Sequence, residues 1–251
     1  MNKKSGVRLD RLLVERGIAP TREKARALIM TGSVLVGENV TDKAGALVLP
    51  DKEIRIRGEN NPYVSRGGLK LKGALTNFGI SVRGLVAIDI GASTGGFTDC
   101  LLQEGASKVY ALDVGYGQLA WKLREDRRVV PIERTNIRYF EGAGISDRID
   151  IAVIDVSFIS LKLVIPSVLK LIGEEASIVA LIKPQFEVGK EMVGKRGVVS
   201  DPALHSKVVK EIDDFCCEAR LEVLGTCESP LAGPAGNREF FIYSRKKVEK
   251  G

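Results

Sequence analysis

The sequence predicts an α/β protein: a mostly parallel, doubly wound sheet preceded by a small α+β N-terminal domain. Three observations carry that expectation. Short apolar segments alternate with helical patterns from residue 87 to residue 183, which is how strands and crossover helices of one parallel sheet read. The apolar stretch Ala87–Ile90 runs into a Gly-rich turn, Gly91-Ala92-Ser93-Thr94-Gly95-Gly96, and a second apolar stretch ends in Asp113. Charge is also unevenly spread: residues 1–58 hold 12 Lys+Arg against 7 Asp+Glu, and the remainder 26 against 25. A small basic module joined to a near-neutral body points to a polyanion partner, most simply nucleic acid.

The 251 residues, 44% of them hydrophobic, can bury one good core and a satellite. Cys100, Cys216, Cys217 and Cys227 form no CxxC pair and His205 is the single histidine, so a zinc site is not expected. The cysteine usage fits a reducing, cytoplasmic setting. No apolar run reaches membrane-spanning length, and the first five residues lack the apolar core of a signal peptide.

Arg8 to Arg16 reads as a short helix with Leu9, Leu12 and Leu13 on one face, closed by Gly17. Thr21 can cap a second helix with Ala25, Leu28 and Ile29 on its apolar face; Arg22 and Arg26, four apart, share another. Val34–Val36, Leu47–Leu49 and Ile54–Ile56 are short strands. The run Gly58 to Tyr63 breaks both helix and strand, which sets the expected divisions at residues 1–58, a linker at 59–64, and 65–251. The helix Ser65 to Phe78 follows, with Leu71, Ala74, Leu75 and Phe78 as its apolar stripe. Lys70 and Lys72 lie on opposite edges of that stripe, and helix geometry alone does not choose between them.

The Gly-rich turn is neither GxGxxG nor a Walker A loop. Residues without bulk let the backbone bend sharply and approach a ligand, and the helix expected from Phe97 to Glu104 aims its first N–H groups there. Asp113 is placed to accept hydrogen bonds from ribose hydroxyls. Asp89, just before the turn, is awkward for a pyrophosphate but suits a cationic ligand. S-adenosylmethionine fits that pattern; an NAD-type site or a bare strand–helix turn stays open on these residues alone.

Further elements are expected at Val109–Val114, a helix from Gln118 to Arg124, strands at Val129–Ile132 and Ile149–Val156, a helix from Leu163 to Ile172, and a strand from Ser177 to Lys183. Asp155 and Lys183 end apolar strands, as Asp113 does. Ligands in such sheets bind beyond the carboxyl ends of the strands, so Asp155 to Ser160 and Lys183 to Gly189 are the fragments expected to touch substrate. The loop 187–202, with Lys190, Lys195 and Arg196, could cover the site or hold RNA backbone. A helix from Pro202 to Arg220 carries His205, read as structural. Leu221–Thr226 and Arg238–Ser244 close the sheet, joined by a loop that Pro230 and Pro234 rigidify.

Residues 8–57 resemble the small RNA-binding domain named after ribosomal protein S4, through Arg8-Leu9-Asp10, the Arg22 to Arg26 helix and Gly32 to Gly37. The resemblance implies that the second helix faces RNA backbone, through Arg22, Lys24 and Arg26, with Arg8 and, beyond the domain, Arg66 as further candidates. Over nearly the whole chain, the stretches Tyr63 to Leu71, Asp89 to Asp99, Ala111 to Leu119, Asp155 to Ser160, Leu181 to Glu187 and Gly236 to Phe240 resemble the TlyA family. Its members join an S4-like domain to a Rossmann-like S-adenosylmethionine methyltransferase domain similar to that of FtsJ.

That resemblance implies ribose 2′-O-methylation of ribosomal RNA, at cytidine, by a Lys-Asp-Lys-Glu tetrad falling on Lys70, Asp155, Lys183 and Glu239; it, rather than helix geometry, selects Lys70. It also implies S-adenosylmethionine as cofactor, held by Asp89, Gly91, Ala92, Ser93, Thr94, Gly95, Gly96 and Asp113, with Asn136 a candidate for the adenine end. Methyl transfer is an in-line displacement in which positioning does most of the work. Lys183 is the candidate to take the hydroxyl proton, since a neighbouring cation such as Lys70 and partial burial make it easier to deprotonate. Carboxylates close by hold its proton instead, in which case it would only position the ribose and stabilise developing charge. A non-catalytic ribosome-assembly factor and a haemolysin, a name the family also carries, are the competing readings.

Overall fold

The computed structural model describes residues 6–37, 39–56, 61–233 and 236–247. The N-terminal five residues, residues 57–60 with the expected linker positions 59 and 60, and Pro234 with Ala235 lie outside the described residues, as do the side chains of Arg55, Lys190 and Lys195. The chain divides into two compact units, residues 1–61 and 62–251.

The first unit begins with β1 (Val7–Arg8), α1 (Leu9–Glu15) and α2 (Arg22–Met30). Short strands follow: β2 (Val34–Val36), β3 (Asn39–Val40), β4 (Leu47–Val48) and β5 (Ile54–Ile56). β1 pairs antiparallel with β4, and β2 lies between β3 and β5, antiparallel to both. Thr21 caps α2, its Oγ1 accepting the Lys24 N–H at 3.2 Å. Leu9, Leu12 and Leu13 of α1 pack with Ala25, Ile29, Val34 and Val48, a small core of its own.

The second unit opens with α3 (Arg66–Phe78), capped by Ser65 and closed by left-handed Gly79. Then come β6 (Val86–Ile90), α4 (Gly96–Gln103), β7 (Lys108–Leu112), α5 (Trp121–Arg124) and β8 (Val129–Ile132). β9 (Ile149–Ile154), α6 (Leu161–Leu169), β10 (Ile172–Ile182), α7 (Pro184–Glu187), α8 (Pro202–Glu218), β11 (Leu221–Glu228) and β12 (Phe240–Lys246) complete it. The seven strands lie in the order β11-β12-β10-β9-β6-β7-β8. β6 to β10 are mutually parallel and β12 is antiparallel to both its neighbours.

Alternate residues of each strand feed opposite faces. Ala87, Val109, Ile151 and Val153 pack with Leu71, Leu75 and Leu101 of α3 and α4. Ile88, Tyr110, Ala152 and Ile154 pack with Val164, Ile165 and Ile212 of α6 and α8. The doubly wound class expected from the alternation is therefore the observed one.

Several element bounds differ from the sequence reading, most of them by one or two residues; three have a clear local cause. α5 starts at Trp121 rather than Gln118, because Ala120 is extended (φ −58°, ψ 140°) and Gly117 is left-handed. α6 starts earlier and ends earlier, Ser160 capping it through the Lys162 N–H. β10 reaches back to Ile172, since Ile172 and Ala176 are buried against the sheet while left-handed Glu175 interrupts the register between Ile172 and Ser177.

Candidate active site

The chain order turns back at β6: β7 and β8 lie to one side, β9 and β10 to the other. Ligands of open α/β sheets bind at such a point, beyond the carboxyl ends of the strands. Here the ends of β6 and β9 meet, and the Asp155 N–H donates to Ile90 O at 2.9 Å. Gly91 has φ +86°, and a Cβ on it would lie 2.4 Å from Asp155 O. Only glycine allows the cofactor-type turn and the end of β9 to touch here.

The turn continues through left-handed Ser93 to Gly95, which starts α4 with φ +93°. Asp89 is fully buried beneath it: Oδ2 accepts the Thr98 N–H (2.9 Å) and Oγ1–H (2.7 Å), tying the turn to the first residues of α4. Its Oδ1 has no hydrogen-bond partner, and burial pushes its pKa up to about 7. Asp89 thus shapes the turn from below rather than lining the cleft. Asp113 lies above: its Oδ2 accepts the Ser93 N–H at 2.8 Å and its Oδ1 the Gly115 N–H at 2.7 Å.

Asp113 lines a cleft of about 820 Å³ together with Gly91, Ser93, Asn136, Asp155 and Phe158. Asn136 starts a short 3-10 turn, its Oδ1 accepting the Arg138 N–H at 3.1 Å. Gln118, not expected from the sequence as a site residue, lines the same cleft and accepts from Ser93 Oγ at 3.4 Å. The charged residues of the lining are Asp113, Asp155 and Arg138. Two carboxylates against one guanidinium fit a cationic ligand carrying a ribose better than a pyrophosphate. A second, adjoining cleft is lined by Arg66, Lys70, Ala92, Thr94, Gly96, Asp155 and Gly233.

The candidate tetrad forms two ion pairs. Lys70 of α3 reaches Glu239, one residue before β12, with Nζ 2.6 Å from Oε2; Lys70 is 8% exposed and Glu239 1%. Lys72 instead turns outward to Glu104 at 2.8 Å. Lys183, at the end of β10 and 8% exposed, has Nζ 2.5 Å from Asp155 Oδ1. The Lys183 ammonium also donates to Ser157 Oγ at 3.0 Å, a partner the sequence did not single out. Lys70 and Asp155 face the same cleft, each backed by its partner.

Glu187 clamps the two strand-end fragments together: it accepts the Ser160 hydroxyl at 2.5 Å and the Leu161 N–H at 2.8 Å, and burial raises its pKa. Phe158, left-handed and 90% exposed, tilts over Phe186 with ring centroids 5.0 Å apart. In α8, His205 is buried, with Nε2 2.7 Å from Val199 O.

In the first unit, Arg8, Arg22 and Arg26 gather around Asp10, and Lys24 is exposed nearby on α2. Arg66, exposed on the first turn of α3, belongs to the second unit.

Two family models match the two units. The FtsJ-like methyltransferase family matches residues 63–246, and the S4 domain matches residues 7–54. The Bacillus subtilis protein YqxC is 51% identical over 94% of this chain and 84% of its own length. The 16S/23S rRNA (cytidine-2′-O)-methyltransferase TlyA of Mycobacterium tuberculosis is 44% identical over 97% of this chain and 91% of its own. A solved hemolysin-named chain from Streptococcus thermophilus is 43% identical, covers 98% of this chain and 90% of that one, and superposes with a TM-score of 0.76. With the Gly-rich turn, the strand-end acids and the paired lysines in place, the chain belongs to the FtsJ-like methyltransferase family, among its TlyA members that carry an N-terminal S4 domain.

Proposed function

We propose that the protein is an S-adenosylmethionine-dependent ribose 2′-O-methyltransferase of ribosomal RNA, with cytidine as the target nucleoside, working in the cytoplasm. The observation that carries this reading is the pair of buried lysine–carboxylate contacts, Lys70–Glu239 and Lys183–Asp155, beside the Gly91 to Gly96 turn. The kinship with TlyA supports the same substrate class.

The backbone of Gly91, Ala92, Ser93, Thr94, Gly95 and Gly96 would hold the methionine part of the cofactor, Asp113 its ribose hydroxyls and Asn136 its adenine end. Asp89 acts through the turn it supports. When bound, S-adenosylmethionine supplies an electrophilic methyl group on sulfur.

Lys183 takes the proton of the ribose 2′-hydroxyl as that oxygen attacks. Its Nζ stands 2.5 Å from Asp155 Oδ1 and donates to Ser157 Oγ at 3.0 Å, and these two contacts fix where the side chain can meet the hydroxyl. Lys70, held by Glu239, places a positive charge at the cleft wall, where it steadies the charge gathering on the oxygen.

Residues 1–58 supply RNA affinity, with Arg8, Arg22, Lys24 and Arg26 on phosphates and Arg66 at the mouth of the active cleft. A single-stranded or splayed nucleotide is the target, because a ribose within a duplex is hard to reach.

Labelled S-adenosylmethionine, incubated with purified ribosomal subunits, naked rRNA and tRNA, tests the reading. Label on rRNA at one nucleotide resistant to alkaline hydrolysis, absent with Lys183→Ala, is the expected result. Cofactor binding without label on any RNA would favour a non-catalytic assembly factor instead. As to the hemolysin name of some relatives, no helix among the described residues is long and apolar enough to cross a membrane.

A further inference from the structure

The basic N-terminal unit buries one acid at the centre of its candidate RNA contacts. Asp10, in the first turn of α1, is fully buried. Three guanidinium groups converge on it. Arg8 holds it with two hydrogen bonds, Nε to Oδ1 at 3.0 Å and Nη2 to Oδ2 at 3.1 Å. Arg22 reaches Oδ2 with Nη2 at 3.0 Å, and Arg26 with Nε at 3.2 Å. The arginine side chains are 48%, 53% and 51% exposed. Each therefore has one side on the carboxylate and N–H donors left over on the other. The contact with Arg8, then those with Arg22 and Arg26, holds the Asp10 carboxyl well below the usual carboxylate range, so it is charged throughout the working pH range.

A carboxylate is an odd component for a surface that binds a polyanion, since it cancels one of three positive charges. Its geometry supplies a reason. Three arginines four or more residues apart, one at the end of β1 and two on α2, repel one another and would sample many rotamers in solvent. Each would lose that freedom on meeting a phosphate, a cost charged against binding. Tied to one buried carboxylate, they are held in place before RNA arrives, and the four groups still carry two net positive charges. A guanidinium anchored on one edge keeps N–H groups for a phosphate on another.

We infer that Asp10 is a positioning residue that pre-organises Arg8, Arg22 and Arg26 into one cradle for RNA backbone phosphate. This rests on the reading of the N-terminal unit as an RNA-binding one. Pure electrostatics predicts the opposite of what the cradle predicts: neutralising an acid in a basic surface should strengthen binding.

The test is filter binding of the full-length chain to purified 16S and 23S rRNA at fixed salt. Asp10→Asn is expected to weaken binding about tenfold although it removes a negative charge. Glu23→Gln, which removes the same charge on exposed α2, is the control and should bind as well as the parent protein or better. Binding by Asp10→Asn as tight as by Glu23→Gln overturns the inference. In an Arg8→Met/Arg22→Met/Arg26→Met background, Asp10→Asn should cost no further affinity; an equal loss in both backgrounds would mean a general loosening of the domain and also overturn it.

A triple change of Arg8, Arg22 and Arg26 to Met separates the two levels of the argument. If it leaves affinity unchanged, the RNA-binding reading of this unit fails. If it weakens binding while Asp10→Asn does not, only the organising role fails. Should Asp10→Asn unfold the unit, exchange of the arginine Nε–H protons in the unaltered protein decides: slow exchange at Arg8 and Arg26 supports the cradle, and exchange as fast as at exposed Arg83 refutes it.

Discussion

Lys70 and Glu239, 169 residues apart in sequence, meet at 2.6 Å in a site nearly closed to solvent. Removing one partner strands the other as a buried charge, which costs about 3–5 kcal/mol in typical proteins. Lys70→Met and Glu239→Leu should each lower stability on that scale in urea unfolding, and the double variant should recover most of it. Activity should stay lost in all three. Recovery of methyl transfer in the double variant would show that the pair serves only the fold.

Lys183→Arg keeps a cation that can hold the ribose oxygen but removes a group able to accept its proton. Methyl transfer should fall by about 10²–10⁴-fold, read as the initial rate against the unaltered enzyme. An arginine variant with near-normal turnover would leave Lys183 a positioning role alone.

Asp113 joins the Gly-rich turn to the loop after β7 through the Ser93 and Gly115 amides. Asp113→Ala frees both and removes the ribose acceptor. Calorimetric titration with S-adenosylhomocysteine should show affinity reduced by about 10–100-fold, with thermal unfolding of the free protein little changed.

Asp89 offers a pH test. Its pKa rises from 3.8 to about 7 on folding, chiefly through burial. The folded state therefore binds the proton more tightly than the unfolded one. Its contribution is full below the unfolded pKa and is lost as pH rises toward 7, with a slope of up to about 1.4 kcal/mol per pH unit. Asp89→Asn should flatten that part of the stability profile and gain relative stability at pH 8. An unchanged slope in denaturant titrations between pH 5 and 8 would place the titration elsewhere.

Much of this architecture was legible because the sheet is regular. Val109–Leu112 is apolar on both faces, as central parallel strands must be, Ala87–Ile90 is so apart from Asp89, and glycines mark the turn between them. Helix bounds were less legible where a tertiary contact competed with local pattern: Gln118 turns to Ser93 instead of starting α5. Lys70 and Lys72 look equivalent on a helical projection; the packing of α3 against β12 sends one inward to Glu239 and the other out to Glu104. Ser157 and Glu187 carry no signature of their own, being ordinary polar residues whose partners arrive from other strands. Asp10 is hidden for the same reason, as one acid in a basic segment.

The antiparallel course of β12 has an outcome for the chain during its synthesis. Because β12 runs against β10, its first residue pairs with the last of β10, Phe240 with Ile182, and this sets Glu239 beside the Lys183 end of the sheet. The partner of Lys70 is thus translated 169 residues after Lys70 itself. A polypeptide released before that point would possess the S4 domain and the Gly-rich turn yet leave Lys70 without its carboxylate. On the proposed reading, copies terminated before Glu239 would occupy ribosomal RNA as silent competitors, and methylating capacity would begin only once the β11–β12 hairpin has closed.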